Sequence, residues 1–282
     1  MNLSSPVAAD LHVHSTFSDG TFSPREVVAH AAACHLSPIA LTDHDTVAGI
    51  PDALQASGEF QVEVIPGVEL SAHEFDQDIH ILGYLIHWED PAFQKILLPL
   101  QTRRTERLEA MLRRLHHLGI PVPVSEVLRI AGKGTVGRLH VARALLAQRV
   151  VNSLQEAFDR FLARGRPAYV ERDAFTARQA ITAIRDAEGI AVLAHPGPHG
   201  LAHVPDLIQV GLQGIEVFHP SHTAEDVFTL TRLATERDLL ITGGSDCHGL
   251  AKGQARLGQV RLPLQYVERL RRAGPGPGPR GT

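Results

Sequence analysis

The apolar positions of this chain fall into two rhythms. Short apolar runs at 8–14, 38–42, 62–70, 79–85, 190–195, 214–218 and 239–243 have the length of buried strands. Between them, three- and four-residue spacing predicts helices over 24–35, 47–56, 176–188, 204–211 and 224–237. The first helix is marked by Ser23 as its cap and Pro24 in its first turn. This strand, helix, strand order favours βαβ units and a parallel sheet. From about 90 to 169 the rhythm is helical only. A long segment over 98–118 sets Leu108, Met111, Leu112 and Leu115 on one face, and shorter segments follow over 123–131, 136–147 and 153–162. The expected organisation is an α/β domain built from residues 1–89 and 170–273, with an all-helical subdomain inserted at 90–169. The Gly-Pro tail at 274–282 is expected to be disordered.

The polar residues that close these runs carry the chemistry. In the first strand Asp10, His12 and His14 alternate with Leu11 and Val13, so both imidazoles are expected on one face and the aliphatic pair on the other. Asp19 follows in the turn Ser18-Asp19-Gly20-Thr21, within reach of the same strand end. Thr42-Asp43-His44-Asp45, Glu69, His80, His195 and Asp246-Cys247-His248 each stand at or just after a predicted strand. In parallel α/β barrels that end of the strands builds the active site, so distant fragments converge in one pocket. Asp10, Asp43 and Asp45 are expected behind the histidines as orienting groups. Cys247 is expected to point away into packing.

Composition changes the picture in two places. Seventeen histidines are a surplus that metal binding or acid–base work would explain. Two cysteines, Cys34 and Cys247, supply neither a disulfide framework nor a thiolate metal site, which suits a reducing, cytoplasmic setting. The net charge of −4 argues against a broadly basic nucleic-acid coat. The first residues lack the pattern of a signal peptide, and no apolar stretch has the length of a bilayer span. No helix shows a sustained heptad seam, so no obligate protein partner is expected.

With His12-Val13-His14 and Asp19, Thr42-Asp43-His44, Glu69 with His80, Ala194-His195-Pro196, and Ser245-Asp246-Cys247-His248 in this order, the chain resembles the polymerase and histidinol phosphatase (PHP) superfamily of metal-dependent phosphoesterases. Within it the chain looks most like small bacterial members with a helical insertion. Some of these remove phosphate from nucleoside 3′,5′-bisphosphates, nucleotides or short RNA ends. The resemblance implies a distorted (β/α)7 barrel holding two to three divalent ions, manganese, zinc or iron. It implies one metal on His12, His14, Glu69 and Asp246, a second on Glu69, His80 and His195, and a third on Asp19, His44 and His248. Glu69 would bridge the first two. Such a pair lowers the pKa of a bound water and clamps the phosphoryl oxygens, giving metal-activated hydroxide attack on a phosphomonoester.

Further residues are expected around the substrate. His222 and His219, in Phe218-His219-Pro220-Ser221-His222, are candidates for the leaving-group acid. The Gly-rich turn before Arg138 opens a helix, and helix starts attract phosphate. Arg138 is the first choice for a phosphate clamp, a choice the Gly-Arg-x-His segment of the resembled branch supports, with His140 and Lys133 behind it. Arg103, Arg104, Arg107, Arg113 and Arg114 read as a solvated helix face. The expected substrate is a small phosphorylated molecule such as a nucleoside 3′,5′-bisphosphate or monophosphate. Alternatives are histidinol-phosphate hydrolysis, 5′-3′ exonuclease action on short RNA, and a non-catalytic metal-binding scaffold.

Overall fold

The computed structural model describes residues 8–172, 175–251 and 255–274. The start of the chain and the tail beyond Gly274 lie outside the described residues, and so do the expectations made for them. Seven strands, β1 (Ala8–Val13), β2 (Leu36–Leu41), β3 (Val64–Glu74), β4 (Gln77–Tyr84), β5 (Ile190–Leu193), β6 (Gly214–Phe218) and β7 (Leu240–Gly243), form one sheet in sequence order. The sheet curls so that the chain just beyond β7 returns to β1. His14 N–H donates to the Cys247 carbonyl at 2.9 Å, and Ser245 N–H donates to Asp10 Oδ1 at 2.9 Å. Gly244 permits this closure, since a Cβ there would stand 2.3 Å from the His12 backbone nitrogen. The result is a distorted (β/α)7 barrel.

The expectation of an all-parallel sheet is corrected at β4, which runs antiparallel to both β3 and β5. The cause is local: Phe75 and Asp76, between β3 and β4, both take positive φ (53° and 59°), the backbone of a tight hairpin turn. A second correction concerns β1. Leu11 packs with Ala40, Ile65, Leu82 and Val192, whereas Val13 packs with Val28, Ile39 and Ala53 in a different cluster. The register of β1 against β2 shifts between Asp10 and Val13, and such a bulge breaks the two-residue alternation.

Helices α1 (Pro24–Ala33) and α2 (Ile50–Phe60) cover the first strands. Ser23 caps α1 reciprocally with Glu26, while α2 begins three residues later than predicted, with Gly49 as its cap and Pro51 in its first turn. Between β4 and β5 come α3 (Pro91–His117), α4 (Val124–Ala131), α5 (Arg138–Ala147), α6 (Leu154–Ala157) and a π-helical turn over Phe158–Leu162. Asp90 caps α3, which starts seven residues before the predicted boundary and runs through Pro99 because Phe93, Leu97 and Leu100 are buried on the barrel. The far half of α3, with Leu108, Met111 and Leu115, packs on α4 and α5 in a cluster of its own. Beyond it lie α7 (Ala177–Asp186), α8 (Pro198–Leu201), α9 (Val204–Gln209), α10 (Ala224–Glu236) and α11 (Leu264–Ala273). Helix α11, which lies outside the helices that the apolar spacing predicts, buries Val267 and Leu270 beneath the barrel residues Leu11 and Tyr84.

Candidate metal centre

His12 is the last residue but one of β1 and His14 follows the strand; His44 follows β2, and His195 and Asp246 follow β5 and β7. Glu69 and His80 instead lie inside β3 and β4, not at their ends. Antiparallel pairing brings them together, with Ser71 opposite His80 and Glu69 opposite Leu82, so the reversed strand delivers His80 to the same rim. His195 (φ 27°), Asp246 (φ 48°) and Asp45 (φ 53°) hold left-handed backbone, a strain that non-glycine residues keep mainly at functional sites.

Glu69 is the hub. Its Oε1 lies 2.7 Å from His80 Nδ1 and 3.2 Å from His195 Nε2, while its Oε2 lies 3.2 Å from His12 Nε2, 3.1 Å from His14 Nε2 and 3.1 Å from His44 Nδ1. Asp246 Oδ1 lies 3.2 Å from His14 Nε2 and 3.6 Å from His12 Nε2. Asp19 stands 3.2 Å from His248 Nε2 and 4.0 Å from His44 Nε2. The structure thus gathers all nine side chains expected as ligands. Eight of them supply donor atoms to three compact groups: His14, Asp19, His44 and His248; His12, His14 and Asp246; and His44, Glu69 and His80; His195 joins none of these and meets the cluster through Glu69 Oε1.

These residues fit divalent cations. Asp19 Oδ1, His44 Nδ1, Glu69 Oε2 and His80 Nδ1 are buried without a hydrogen bond. Orphaned groups of this kind cost about 1–3 kcal/mol each unless a partner sits among them. Nitrogen and carboxylate donors without thiolate suit zinc, manganese or iron. Burial alone would raise the Glu69 carboxyl, yet the surrounding imidazoles hold it well below the usual carboxylate range. Burial pushes His44 well below and His80 below the usual imidazole value, favouring the neutral form that binds metal. His12 resists its own burial because Glu216 and Glu69 raise it, and the same negative charge attracts a cation.

The supporting groups differ from those expected. Asp43 accepts from Ser15 N–H (2.7 Å), Ser15 Oγ and Ser18 Oγ, and Asp10 accepts from His12 N–H and Ser245 N–H, so both fix backbone rather than imidazole rings. Burial lifts the Asp10 carboxyl to about 6. The group that orients a ring is Glu216 on β6, which sequence reasoning missed. Its Oε1 contacts His12 Nδ1 at 3.0 Å and its Oε2 accepts from His195 N–H at 2.8 Å. A lone acid in the apolar run Ile215-Glu216-Val217 was the available signal. Glu216→Gln is expected to weaken metal retention about 10- to 100-fold, read by titration against a chelator. Unchanged retention would remove Glu216 from the site.

The arginines also need correcting. Arg104 is buried and pairs with Asp45, while its Nη2 donates to Ser71 Oγ (2.7 Å) and its Nη1 to the Val136 carbonyl (3.1 Å). Arg107 donates to the Val170 carbonyl and Arg114 to the Tyr169 carbonyl, so only part of that helix face is solvated. Arg138, partly exposed at the start of α5, lines the metal pocket together with Arg172, a residue without any local sequence signal. Both lie 3.4–3.5 Å from Asp78. Burial would raise Asp78, but Arg172, Arg138 and Arg107 together hold it at about 2. His140 stands apart from the pocket. It is buried, accepts from Gly137 N–H through Nδ1 at 3.0 Å, and is pushed down to about 4, chiefly by burial. Two residues along a helix point nearly opposite ways, so Arg138 and His140 cannot share one face. Lys133 is exposed and lines a separate depression beside Phe17 and Leu128. His219 faces the cluster, its Nε2 3.7 Å from Asp246 Oδ2, whereas His222 donates through Nδ1 to the Val217 carbonyl.

Comparison with known proteins identifies the family. The PHP domain matches residues 10–164. A phosphoribosyl 1,2-cyclic phosphate 1,2-diphosphodiesterase of Eggerthella lenta is 35% identical over 85% of this chain and 94% of its own. The 5′-3′ exoribonuclease Rnm of Escherichia coli is 34% identical over 86% of this chain and 85% of its own. A 3′,5′-nucleoside bisphosphate phosphatase of Chromobacterium violaceum is 32% identical over 89% of this chain and 90% of its own. A solved structure from Bifidobacterium adolescentis, assigned as a metal-dependent phosphoesterase, superposes with a TM-score of 0.87 at 30% identity, covering 95% of this chain and 96% of that one. This chain belongs to the PHP domain family and is a metal-dependent phosphoesterase.

Proposed function

We propose that the protein hydrolyses a phosphomonoester of a nucleotide, a nucleoside 3′,5′-bisphosphate or a nucleoside monophosphate, using two to three divalent ions of manganese, zinc or iron. The observation that carries this reading is the division of Glu69, whose two oxygens face different histidines beside the guanidinium groups of Arg138 and Arg172. Glu69 would bridge one metal on His12, His14 and Asp246 and another on His80 and His195, with Asp19, His44 and His248 holding a third. Bound metals supply an acidified water and positive charge at the phosphoryl oxygens. The chain does the rest: Arg138 and Arg172 hold phosphate oxygens, Glu216 fixes the His12 ring, and His219 Nε2 carries the proton for the leaving oxygen. His219 Nδ1 accepts from Ser221 N–H at 3.2 Å, which leaves the proton on Nε2. The helices at 90–169 act as a substrate-facing subdomain.

The arginines disfavour a cationic substrate such as histidinol phosphate. A second reading has its own support. A depression lined by Arg103, Arg107 and Val170 shares Arg104 and Arg172 with the metal pocket, and could take further phosphates of a short RNA end. Among the described residues no helix is long and apolar enough to cross a membrane. Both cysteines are free, which supports the cytoplasmic setting. The test is phosphate release by manganese-loaded protein from adenosine 3′,5′-bisphosphate, AMP, histidinol phosphate and 5′-phosphorylated short RNA. The expected result is preference for the bisphosphate, lost in His12→Ala/His14→Ala. Turnover of histidinol phosphate alone would overturn the reading, mononucleotides from RNA would favour the second, and no release from metal-loaded protein would favour a scaffold.

A further inference from the structure

The metal pocket is small. Its volume of about 210 Å³ accommodates a phosphoryl group but falls short of the roughly 300–1,000 Å³ of sites that enclose whole small molecules. A cleft of about 520 Å³ adjoins it, and the two share Leu139 and Phe158 as a common wall. Beyond that wall the cleft is lined by Leu146, Leu154 and Leu250, with Gln155 and Arg256 among its polar groups. Leu250 is 59% exposed although it follows the expected ligand His248 by two residues, and its backbone N–H donates to Thr21 Oγ1 at 2.7 Å. Phe158 opens the π-helical turn, closed by the 2.9 Å bond from Ala163 N–H to the Phe158 carbonyl. Such turns are uncommon and concentrate at functional sites.

The geometry points to this cleft as the subsite for the nucleobase of the substrate, with Phe158 as the stacking wall and Leu250 as the opposing edge. This inference rests on the nucleotide reading given above. A phosphate at the metals sets its leaving group beside this apolar space, which shares Leu139 and Phe158 with the metal pocket. An aromatic ring with leucines around it suits the flat face of a base, and Gln155 and Arg256 offer donors to its polar edge. The subsite selects nucleosides over bare sugars without a strict choice among bases, because every base has a π-face.

Steady-state kinetics on the metal-loaded enzyme test this, comparing adenosine 3′,5′-bisphosphate with base-free ribose 3,5-bisphosphate in wild type, Phe158→Ala, Phe158→Tyr and Leu250→Asp. Equilibrium dialysis of AMP is run alongside. Phe158→Ala is expected to raise KM for the nucleotide about tenfold, with kcat little changed and the ribose substrate unaffected. Phe158→Tyr is expected to restore KM, and the exposed position of Leu250 lets Leu250→Asp repeat the loss without a core defect. Equal losses on both substrates, or none, would overturn the subsite while nucleotide hydrolysis stands. AMP binding that depends on Phe158 without nucleotide turnover would retain the subsite and discard the proposed reaction. Absence of both overturns both.

Discussion

Glu69→Gln is expected to lower phosphate release by roughly 10³-fold or more and to release metal into a chelator that wild type resists. The amide keeps the shape but removes the negative charge, and it can no longer offer two equivalent oxygens. Glu69 Oε1 and Oε2 face separate sets of histidines, so one substitution weakens both sets together. Metal stabilisation of a phosphoryl transition state is worth several kcal/mol, and about 4 kcal/mol corresponds to roughly 10³-fold in rate. His195→Ala, by contrast, touches one oxygen only and should leave part of the metal in place. The checks are phosphate release and metal content of the purified variants by elemental analysis. A Glu69→Gln protein that keeps its full metal and most of its rate would remove Glu69 as the bridge.

Arg104→Met is expected to destabilise the fold by about 3–5 kcal/mol, the usual cost of leaving one partner of a buried ion pair alone. Asp45 would remain buried with a single hydrogen bond, from Ser71 N–H at 2.8 Å. Asp45 is next to His44, and Ser71 lies two residues beyond Glu69, so the loss reaches the metal centre. A shift of about 1 Å in such ligands costs roughly 10²-fold in rate. Urea unfolding, run both with chelator and with saturating metal, separates lost packing from lost metal binding. Adding Asp45→Asn should recover part of the stability because it removes the unpaired charge. If Arg104→Met unfolds at the wild-type midpoint, the pair contributes nothing and the link to His44 fails.

The convergence of the nine expected ligands was legible because eight of them stand in or shortly after an apolar run that had to be a strand, with Asp19 in the turn beyond β1, and strands bring distant residues to one rim. Glu216, Arg172 and Arg104 were not legible for opposite reasons. Glu216 sits in the middle of a strand, where attention falls on its apolar neighbours, and Arg172 lies in irregular chain where no periodicity places a side chain. Arg104 belongs to an arginine-rich helix, and only the docking of α3 on the barrel decides which of its arginines is covered. The same limit explains β4: Phe75-Asp76 takes a turn conformation without the Asn-Gly or Asp-Gly pair that announces one. The bulge in β1 escaped because alternation was assumed where the pairing register slips.

The order of the ligands along the chain has a consequence for how the molecule is made. His12 and His14 emerge first, while Asp246 and His248 come after the final strand, and β1 meets them only when the barrel shuts. Contacts this far apart in sequence form late, since a long loop must close before they can contribute. On the proposed ligand sets a metal on His12, His14 and Asp246 would therefore latch the two ends of the finished barrel, whereas Glu69, His80 and His195 are all made before β7.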